Sequence, residues 1–271
     1  MLDQERLLFQ QETAGGLIEV WQKDNHRWLN IDSVLQSGID IDQPERLVSP
    51  LHHAFLAALL FTETPDKILL AGMGAGAFAR YMHHVNPSIQ GDAVEVNETI
   101  SVIAKQYFDF PDEKWKINID NIRQWQGKYY DFILADIAED ELTPAWLTSE
   151  AMLLQLKNQL SARGVLAINL LVSDAQSFKQ ALITIRKVYE QKTLCLTVPD
   201  HKNIVVFAFN NQIKVESNAA MKSRIMSLNQ IWGVDFGVLF EQLQSDNPVG
   251  SFDGIFNLIK LQSHKLEPQR R

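Results

Sequence analysis

Three glycines, Gly72, Gly74 and Gly76, follow the apolar run at residues 68–71 and precede a helical pattern that begins near residue 77. Glycine suits such a turn because the chain bends sharply there and its backbone can approach a ligand with no Cβ in the way. The first N–H groups of the helix can then bind polar ligand atoms. The pattern predicts a nucleoside- or nucleotide-binding loop, and a glycine-rich turn without a ligand is the alternative.

Acidic residues stand at the ends of the next three predicted strands. Glu95 ends the first of them, where a nucleoside site needs a carboxylate to accept hydrogen bonds from both ribose hydroxyls. Asp120 follows the next strand and either accepts from the exocyclic amine of adenine or caps the turn before Ile122. Asp136 follows the third, where it is either a functional or a capping acid. Because ligands bind at the carboxyl edge of open α/β sheets, these features predict one site at that edge.

The elements that must position these residues alternate between short apolar runs and longer helical ones. Candidate strands are residues 68–71, 91–96, 115–119, 130–135 and 165–171, and candidate helices are 77–85, 98–108 and 151–160. This alternation predicts βαβ units and a doubly wound, mostly parallel, Rossmann-like sheet. A helix at 175–189 and strands at 192–197 and 203–209 follow, and the two strands are expected to form an antiparallel edge.

Shorter segments flank this core. Two β-prone runs, 16–21 and 27–31, predict an N-terminal hairpin, and a helix is expected over 52–61. Helical patterns at 219–232 and 237–244 form the C-terminal part, where Trp232, Phe236, Phe240 and Phe252 are expected in a core or an oligomer contact. We therefore expect a β-hairpin segment at 1–49, a nucleoside-binding domain at 50–215 and a helical tail at 216–271.

The composition and net charge argue against several classes of binding partner. The 271 residues include 25 basic and 33 acidic side chains, a net charge of −8 that argues against binding to nucleic acid or an anionic membrane. The single cysteine, Cys195, cannot form an intrachain disulfide, which fits a reducing compartment. The first residues lack the order of a signal peptide, and the most apolar run, 54–61, is too short for a membrane span, so a cytoplasmic protein is expected. No metal site is predicted, because the histidines form adjacent pairs rather than pairs four residues apart.

Several segments together resemble one family. Residues 68–77, 94–97, 119–121 and 130–136 are similar, in order and spacing, to the successive nucleoside-binding segments of spermidine synthases, which are aminopropyltransferases built on the methyltransferase fold. Residues 30–36 resemble the hairpin strand of that family and the glutamine after it. The resemblance extends over about residues 16–209.

The resemblance implies a co-substrate of the S-adenosylmethionine class, either that molecule or its decarboxylated form, or the product methylthioadenosine. Gln36 and Glu95 would hold the nucleoside, with Asp120 near the adenine. Asp136 would take a proton from the attacking amine, because a protonated amine has no lone pair with which to displace the sulfonium. The family also implies a homo-oligomer.

Three positions depart from the family pattern. Ala75 stands where the glycine loop of the family carries an aspartate. Asp136 is followed by Ile137-Ala-Glu139-Asp140 in place of two small hydroxyl-type residues, an aspartate and a proline, and Glu139 would replace the second acid. A tyrosine and a histidine expected ahead of the loop are not matched by residues 50–53, although His52 holds the approximate place.

The sequence thus predicts a spermidine synthase-like transferase that binds a small-molecule nucleoside and an amine acceptor. The altered acids keep two alternatives open, an S-adenosylmethionine-dependent methyltransferase acting on another acceptor and a nucleoside-binding homologue without turnover. A nicotinamide-dependent dehydrogenase would share the glycine loop and Glu95, but residues 30–36 and Asp136 favour the sulfonium ligand.

Overall fold

The computed structural model describes residues 5–139, 141–213 and 216–248. Its chain divides into two compact units. The first comprises Met1–His52 and Asp66–Gly127, and the second comprises His53–Pro65 and Lys128–Arg271.

The first unit begins with an antiparallel sheet of four strands, paired in the order of the chain: β1 (Arg6–Thr13), β2 (Gly16–Lys23), β3 (His26–Ile31) and β4 (Val34–Asp40). Its strands alternate, so that Ile18, Val20 and Leu29 are buried while their neighbours face outward. The predicted hairpin is confirmed as β2 and β3, and β1 and β4 extend it on either side.

A helix, α1 (Pro50–Leu56), follows in the chain and has proline at its first position. The first unit then continues with β5 (Lys67–Ala71), α2 (Ala77–Val85), β6 (Gln90–Glu95), α3 (Glu98–Tyr107) and β7 (Trp115–Ile119). Strand β6 pairs in parallel with both β5 and β7. Helix α3 begins where it does because the side chain of Asn97 accepts the N–H of Thr99.

The second unit contains a 3-10 turn (Ala57–Leu60) and the remaining elements. These are β8 (Tyr130–Ala135), α4 (Glu150–Gln159), β9 (Leu160–Leu170), α5 (Ala175–Val188), β10 (Thr193–Thr197), β11 (Ile204–Phe209), α6 (Asn218–Trp232) and α7 (Phe236–Asp246). Strands β8 and β9 are parallel, whereas β9, β11 and β10 pair antiparallel in that order. The predicted antiparallel edge is thereby confirmed.

The strands of the first unit that follow α1 have the order β5-β6-β7, and those of the second unit have the order β10-β11-β9-β8. Helix-connected parallel strands with an antiparallel edge are those of a doubly wound, mostly parallel α/β fold, as predicted. The division at residues 49 and 215 remains a prediction.

The C-terminal helices are part of the second unit. Trp232, Phe236 and Phe240 are buried, and the predicted Phe252 lies outside the described residues. The guanidinium of Arg224 on α6 donates to the carbonyl of Leu59 at 2.8 Å, which anchors α6 to the 3-10 turn. Across the described ranges, no helix combines the length and apolarity needed to cross a bilayer.

Candidate active site

The glycine loop of the first unit has the backbone that its sequence predicts. Gly72, Gly74 and Gly76 have φ values of 79°, 50° and 77°, in the region that side-chain-bearing residues rarely adopt. The N–H of Gly72 donates to the carbonyl of Val94 at 3.1 Å, and the N–H of Gly76 donates to that of Met73 at 2.9 Å. Gly76 is also the N-cap of α2 and offers no side-chain cap, so the first turn of α2 has no capping side chain of its own.

Strand β4 passes beside this loop. A Cβ placed on Gly74 would lie 3.8 Å from the carbonyl oxygen of Gln36 and 3.9 Å from the Cβ of Ser37. The side chain of Gln36 is exposed, and its Nε2 donates weakly to Val34 O at 3.4 Å. The first unit therefore brings the predicted glutamine next to the predicted loop, although they are about 40 residues apart in the chain.

Glu95 joins the end of β6 to the same loop. Its carboxylate accepts the N–H of Asn97 at 3.0 Å and also accepts the N–H groups of Val96 and Met73. Burial raises the pKa of Glu95 above its ordinary value, and these backbone donors oppose that shift because they stabilise the charged form. The carboxylate is thus a half-buried acceptor held against the glycine loop, which is what recognition of ribose hydroxyls requires.

Asp120 lies next to Glu95 through the backbone. Its N–H donates to the carbonyl of Glu95 at 3.1 Å, and its Oδ1 accepts the N–H of Asn121 at 2.7 Å. The turn that follows is capped by Asn121, whose Oδ1 accepts the N–H of Arg123 at 3.0 Å. The first unit therefore assembles the glycine loop, Gln36, Glu95 and Asp120.

The second unit carries the other predicted acids. Asp136 directly follows β8, is half-buried, and its Oδ1 accepts the Nδ2 of Asn169 at 2.8 Å. Burial raises the pKa of Asp136, while the hydrogen bond from Asn169 acts in the opposite direction. A carboxyl group with a raised pKa is a better proton acceptor near neutral pH than an ordinary aspartate.

Glu139 occupies a different environment, three residues further along the same loop. Its side chain is exposed, and its Oε1 accepts the indole N–H of Trp146 at 2.9 Å. Its backbone pairs with that of Leu142 in both directions, at 2.8 and 3.0 Å. This carboxylate is therefore engaged within its own loop, and Asp140 lies outside the described residues.

The other two positions that differ from the family pattern, Ala75 and His52, pack inside the first unit. Ala75 is fully buried. His52 packs against the ring of Phe78, with the ring centroids 6.0 Å apart. Neither position supplies a carboxylate. Among the described residues, no group of three or more histidine, cysteine or acidic side chains is arranged to hold a metal ion.

Sequence reasoning did not predict the roles of two polar residues. Arg80 is buried on α2, where it donates to the carbonyls of Pro44 and Phe108 at 2.5 and 2.6 Å, and burial lowers its pKa to about 10. It therefore fixes loops of the first unit. Asn169 is the other. It is the one polar residue in the apolar run at 165–171, and this exception in the sequence pattern could have identified it.

A surface cavity of about 560 Å³ lies elsewhere in the second unit, between the loop after β8, the end of β9 and helix α5. Hydroxyl, carboxamide and aliphatic side chains line it, including Thr143, Ser173 and Gln180, and none of the described lining residues is charged. It contains none of the predicted site residues. Because no carboxylate of the described residues lines this cavity, it lacks the groups that a ribose or an amine would need. We therefore place the candidate site at the residues described above rather than in this cavity.

Comparison with known proteins gives relatives of two kinds. The polyamine aminopropyltransferase of Chromobacterium violaceum is 29% identical over 239 residues, which cover 85% of this chain and 90% of that protein. The eEF1A lysine and N-terminal methyltransferase of Mus musculus is 29% identical over 146 residues, 46% of this chain and 21% of the relative. No family model matches the chain.

Solved structures show the same fold. A "probable spermidine synthase" from Corynebacterium glutamicum superposes with a TM-score of 0.69 at 19% identity, covering 88% of this chain and 94% of that one. Human methyltransferase-like protein 13, solved in complex with SAH, gives 0.60 at 20% identity over 68% and 93% of the two chains. The resemblance to spermidine synthases and the methyltransferase fold are both confirmed. Since both of these sequence relatives are named as transferases, the predicted enzyme class is confirmed at that level.

Proposed function

We propose that the chain is a transferase that binds a sulfonium nucleoside of the S-adenosylmethionine class and transfers an aminopropyl group to an amine. The observation that carries the proposal is the carboxylate of Glu95, held against the glycine loop by the N–H of Met73. Relatives over 85% of the chain that are named polyamine aminopropyltransferases support the choice of group transferred.

The first unit would supply nucleoside recognition. Glu95 would accept the ribose hydroxyls, and the open turn at Gly74 would let the backbone approach the donor. Asp120 has one carboxylate oxygen on Asn121 and would use the other for the amine of adenine. Gln36 lies beside Gly74 and would line the same nucleoside site.

The second unit would supply the proton acceptor. In the transfer, Asp136 first takes a proton from the ammonium form of the acceptor, which frees the lone pair of the nitrogen. That lone pair attacks the carbon attached to sulfur, the carbon–sulfur bond breaks, and the sulfonium leaves as a neutral thioether, while the newly alkylated nitrogen carries the positive charge as an ammonium. The raised pKa of Asp136 brings its proton affinity closer to that task at neutral pH. Holding the amine in line with the carbon–sulfur bond supplies further acceleration.

Methyl transfer from S-adenosylmethionine to another acceptor is the second candidate, and two structural observations favour it. Glu139, the replacement for the second amine-binding acid, is tied to Trp146. Ala75, where the family has a charged partner for the amino end of the donor, is fully buried. A diamine would therefore meet one free carboxylate fewer, and the amino end of a decarboxylated donor one fewer, than the aminopropyltransferase pattern provides.

Product analysis separates the candidates. The purified protein is incubated with decarboxylated S-adenosylmethionine and putrescine, other diamines or monoamines, and in parallel with S-adenosylmethionine and a cell extract depleted of nucleotides. Release of methylthioadenosine with an aminopropylated amine supports the first candidate. Release of S-adenosylhomocysteine above the level produced by the extract alone supports methyl transfer. If the protein binds either nucleoside but releases no product in any arm, the proposed transferase activity is wrong and the role is nucleoside binding.

We further propose a homo-oligomer located in the cytoplasm. The oligomer follows from the family resemblance, and the compartment follows from the single, buried Cys195. Light scattering during size-exclusion chromatography tests the first proposal, and fractionation of cells that express the full chain tests the second.

A further inference from the structure

Three side chains of the second unit form a hydrogen-bonded line that ends on Asp136. The Nδ2 of Asn203 donates to the Oδ1 of Asn169 at 3.0 Å, and the Nδ2 of Asn169 donates to the Oδ1 of Asp136 at 2.8 Å. Asn169 is only 8% exposed and lies in β9 among buried apolar residues. A buried carboxamide costs free energy unless its polar atoms are paired, and both ends of Asn169 are paired here.

The backbone around Asn169 is fixed as well. The hydroxyl of Thr143 donates to the carbonyl of Asn169 at 3.0 Å and accepts the N–H of Leu171 at 2.8 Å. The N–H of Thr143 donates to the carbonyl of Leu171, also at 2.8 Å. On the other side, Asn169 lies opposite Val205 in the ladder between β9 and β11. Its side chain therefore starts from a backbone that is held on both sides.

The orientation of the two carboxamides in this line follows from the chemistry of Asp136, with which the line ends. An ionised carboxylate can only accept hydrogen bonds, so Asn169 must turn its amide nitrogen toward Asp136. The carbonyl oxygen of Asn169 then points at Asn203, which must present its own nitrogen. Every donor in the line points toward Asp136, and this arrangement favours the charged form of the aspartate over the protonated form.

We propose that Asn169 is a positioning residue for Asp136 and that Asn203 sets the orientation of the Asn169 amide, so that Asp136 keeps one oxygen occupied and receives the substrate proton on the other. The role of Asp136 as proton acceptor rests on the proposed function. The hydrogen-bonded line itself does not.

The influences on Asp136 that the described residues provide are few. Burial raises the pKa of Asp136 and the hydrogen bond from Asn169 lowers it, and within the described residues no charged side chain contributes to the change. Two of the acids close to Asp136 along the chain have other partners: Asp131 accepts the hydroxyl of Ser161 at 2.8 Å, and Glu139 accepts from Trp146. Changes in Asn169 should therefore act on Asp136 directly.

The test uses three variants and two measurements. Asn169→Leu removes the donor at similar volume. Asn203→Leu removes the donor that holds the carbonyl oxygen of Asn169, so that the Asn169 amide is no longer fixed with its nitrogen toward Asp136, and it adds no charge near Asp136. Asn210→Ala is the control, because Asn210 is another half-buried asparagine of the second unit, whose Nδ2 donates to Ser161 O at 3.0 Å, away from the line.

Two quantities are measured. The pKa of Asp136 is measured by carbon-13 NMR titration of the aspartate carboxyl groups, with Asp136→Asn used to identify its signal. The pH profile of kcat/KM is measured on the acceptor that is turned over.

Loss of the donor should raise the pKa of Asp136 by about 1 unit, which moves the acidic limb of the profile to higher pH and lowers activity about tenfold on that limb. Asn203→Leu should shift both in the same direction by a smaller amount, and Asn210→Ala should shift neither. The proposal is overturned if Asn203→Leu and Asn169→Leu both leave the titration of Asp136 unchanged. Should Asn169→Leu fail to fold, Asn203→Leu alone decides. Because the NMR titration needs no substrate, a protein without transferase activity would contradict the proposed function and still test this inference.

Discussion

Gly76 and the ring of Phe110 are in such close contact that any side chain at position 76 would overlap it. A Cβ built on Gly76 would lie 2.4 Å from Cδ2 and 3.1 Å from Cε2 of Phe110. Phe110 is itself buried and cannot move away without disturbing the end of α3. The glycine loop thus owes its shape to packing behind it as well as to its positive φ angles.

Gly76→Ala should therefore cost more stability than a positive φ alone explains. Gly233 is a matched control, because its φ is 62° and no atom lies within 4 Å of a Cβ placed there. Gly233→Ala should lower the free energy of unfolding by about 1–2 kcal/mol. Gly76→Ala should lose about 1–3 kcal/mol more through overpacking. Urea unfolding of both variants measures the difference, and equal losses would contradict the close contact.

The stability of the protein should depend on pH through Asp136. Burial raises its pKa in the folded state above the ordinary value of 3.8, so the folded protein holds this proton to higher pH than the unfolded chain does. Ionisation of Asp136 therefore lowers the free energy of unfolding as pH rises from about 3.8 to the raised pKa. Asp136→Asn removes that loss, so its stability relative to the parent should increase over this range. Asp200→Asn, at an exposed position, controls for the removal of one charge. A difference between Asp136→Asn and the parent that stays constant from acid to neutral pH would contradict the assignment.

Use of putrescine should be weak, because a diamine is a dication at neutral pH and needs carboxylates at both ends. Losing one charge-assisted hydrogen bond costs about 1.5–3 kcal/mol, or about 10- to 150-fold in affinity. Glu139 is held by Trp146, so Trp146→Phe should free it and lower the KM for putrescine. Spermidine formation is the measurement. Turnover by the parent of about 1 per second or faster, in the usual range for enzymes, would show that the altered acids are compensated.

Cys195 should be unreactive as long as Asn247 holds its backbone in place. Asn247 Oδ1 accepts the N–H of Cys195 at 3.0 Å and its Nδ2 donates to the carbonyl at 2.7 Å, so one side chain closes the edge of β10. Burial raises the pKa of the thiol to about 11, which leaves little thiolate at neutral pH. Asn247→Ala should speed labelling by an aromatic disulfide reagent and lower stability by about 1–3 kcal/mol. Labelling as slow as that of the parent, or of Asn210→Ala, would contradict this role for Asn247.

Much of the fold was predictable because the apolar periodicity of the parallel strands is local. Strand β5 was expected over 68–71 and occupies Lys67–Ala71, and α3 was expected over 98–108 and occupies Glu98–Tyr107. Strands β1 and β4 were missed because they are half-exposed and owe their regularity to their neighbours. In β4, register with β3 decides the conformation of residues 34–40, and no periodicity along that segment reveals it.

The sequence likewise predicts one part of the candidate site and not the other. Glycines at a strand end and Glu95 six residues into the next strand are local signals with a known mechanism, and both are visible in the sequence. The line from Asn203 through Asn169 to Asp136 joins residues 34 and 33 positions apart, and only the pairing of strands brings them together. The ties of Glu139 to Trp146 likewise depend on a loop conformation that residue types do not specify.

The central claim, that the first unit binds a sulfonium nucleoside through Glu95, is tested most directly by calorimetric titration. The parent, Glu95→Ala and the exposed neighbour Glu98→Ala are titrated with S-adenosylmethionine, its decarboxylated form, methylthioadenosine and NAD. The parent and Glu98→Ala should bind an adenosyl sulfur ligand in preference to NAD. Glu95→Ala should bind it about 5- to 150-fold more weakly, the cost of leaving ribose hydroxyls unpaired. Equal affinity of the parent and a folded Glu95→Ala for every adenosyl ligand would contradict the claim.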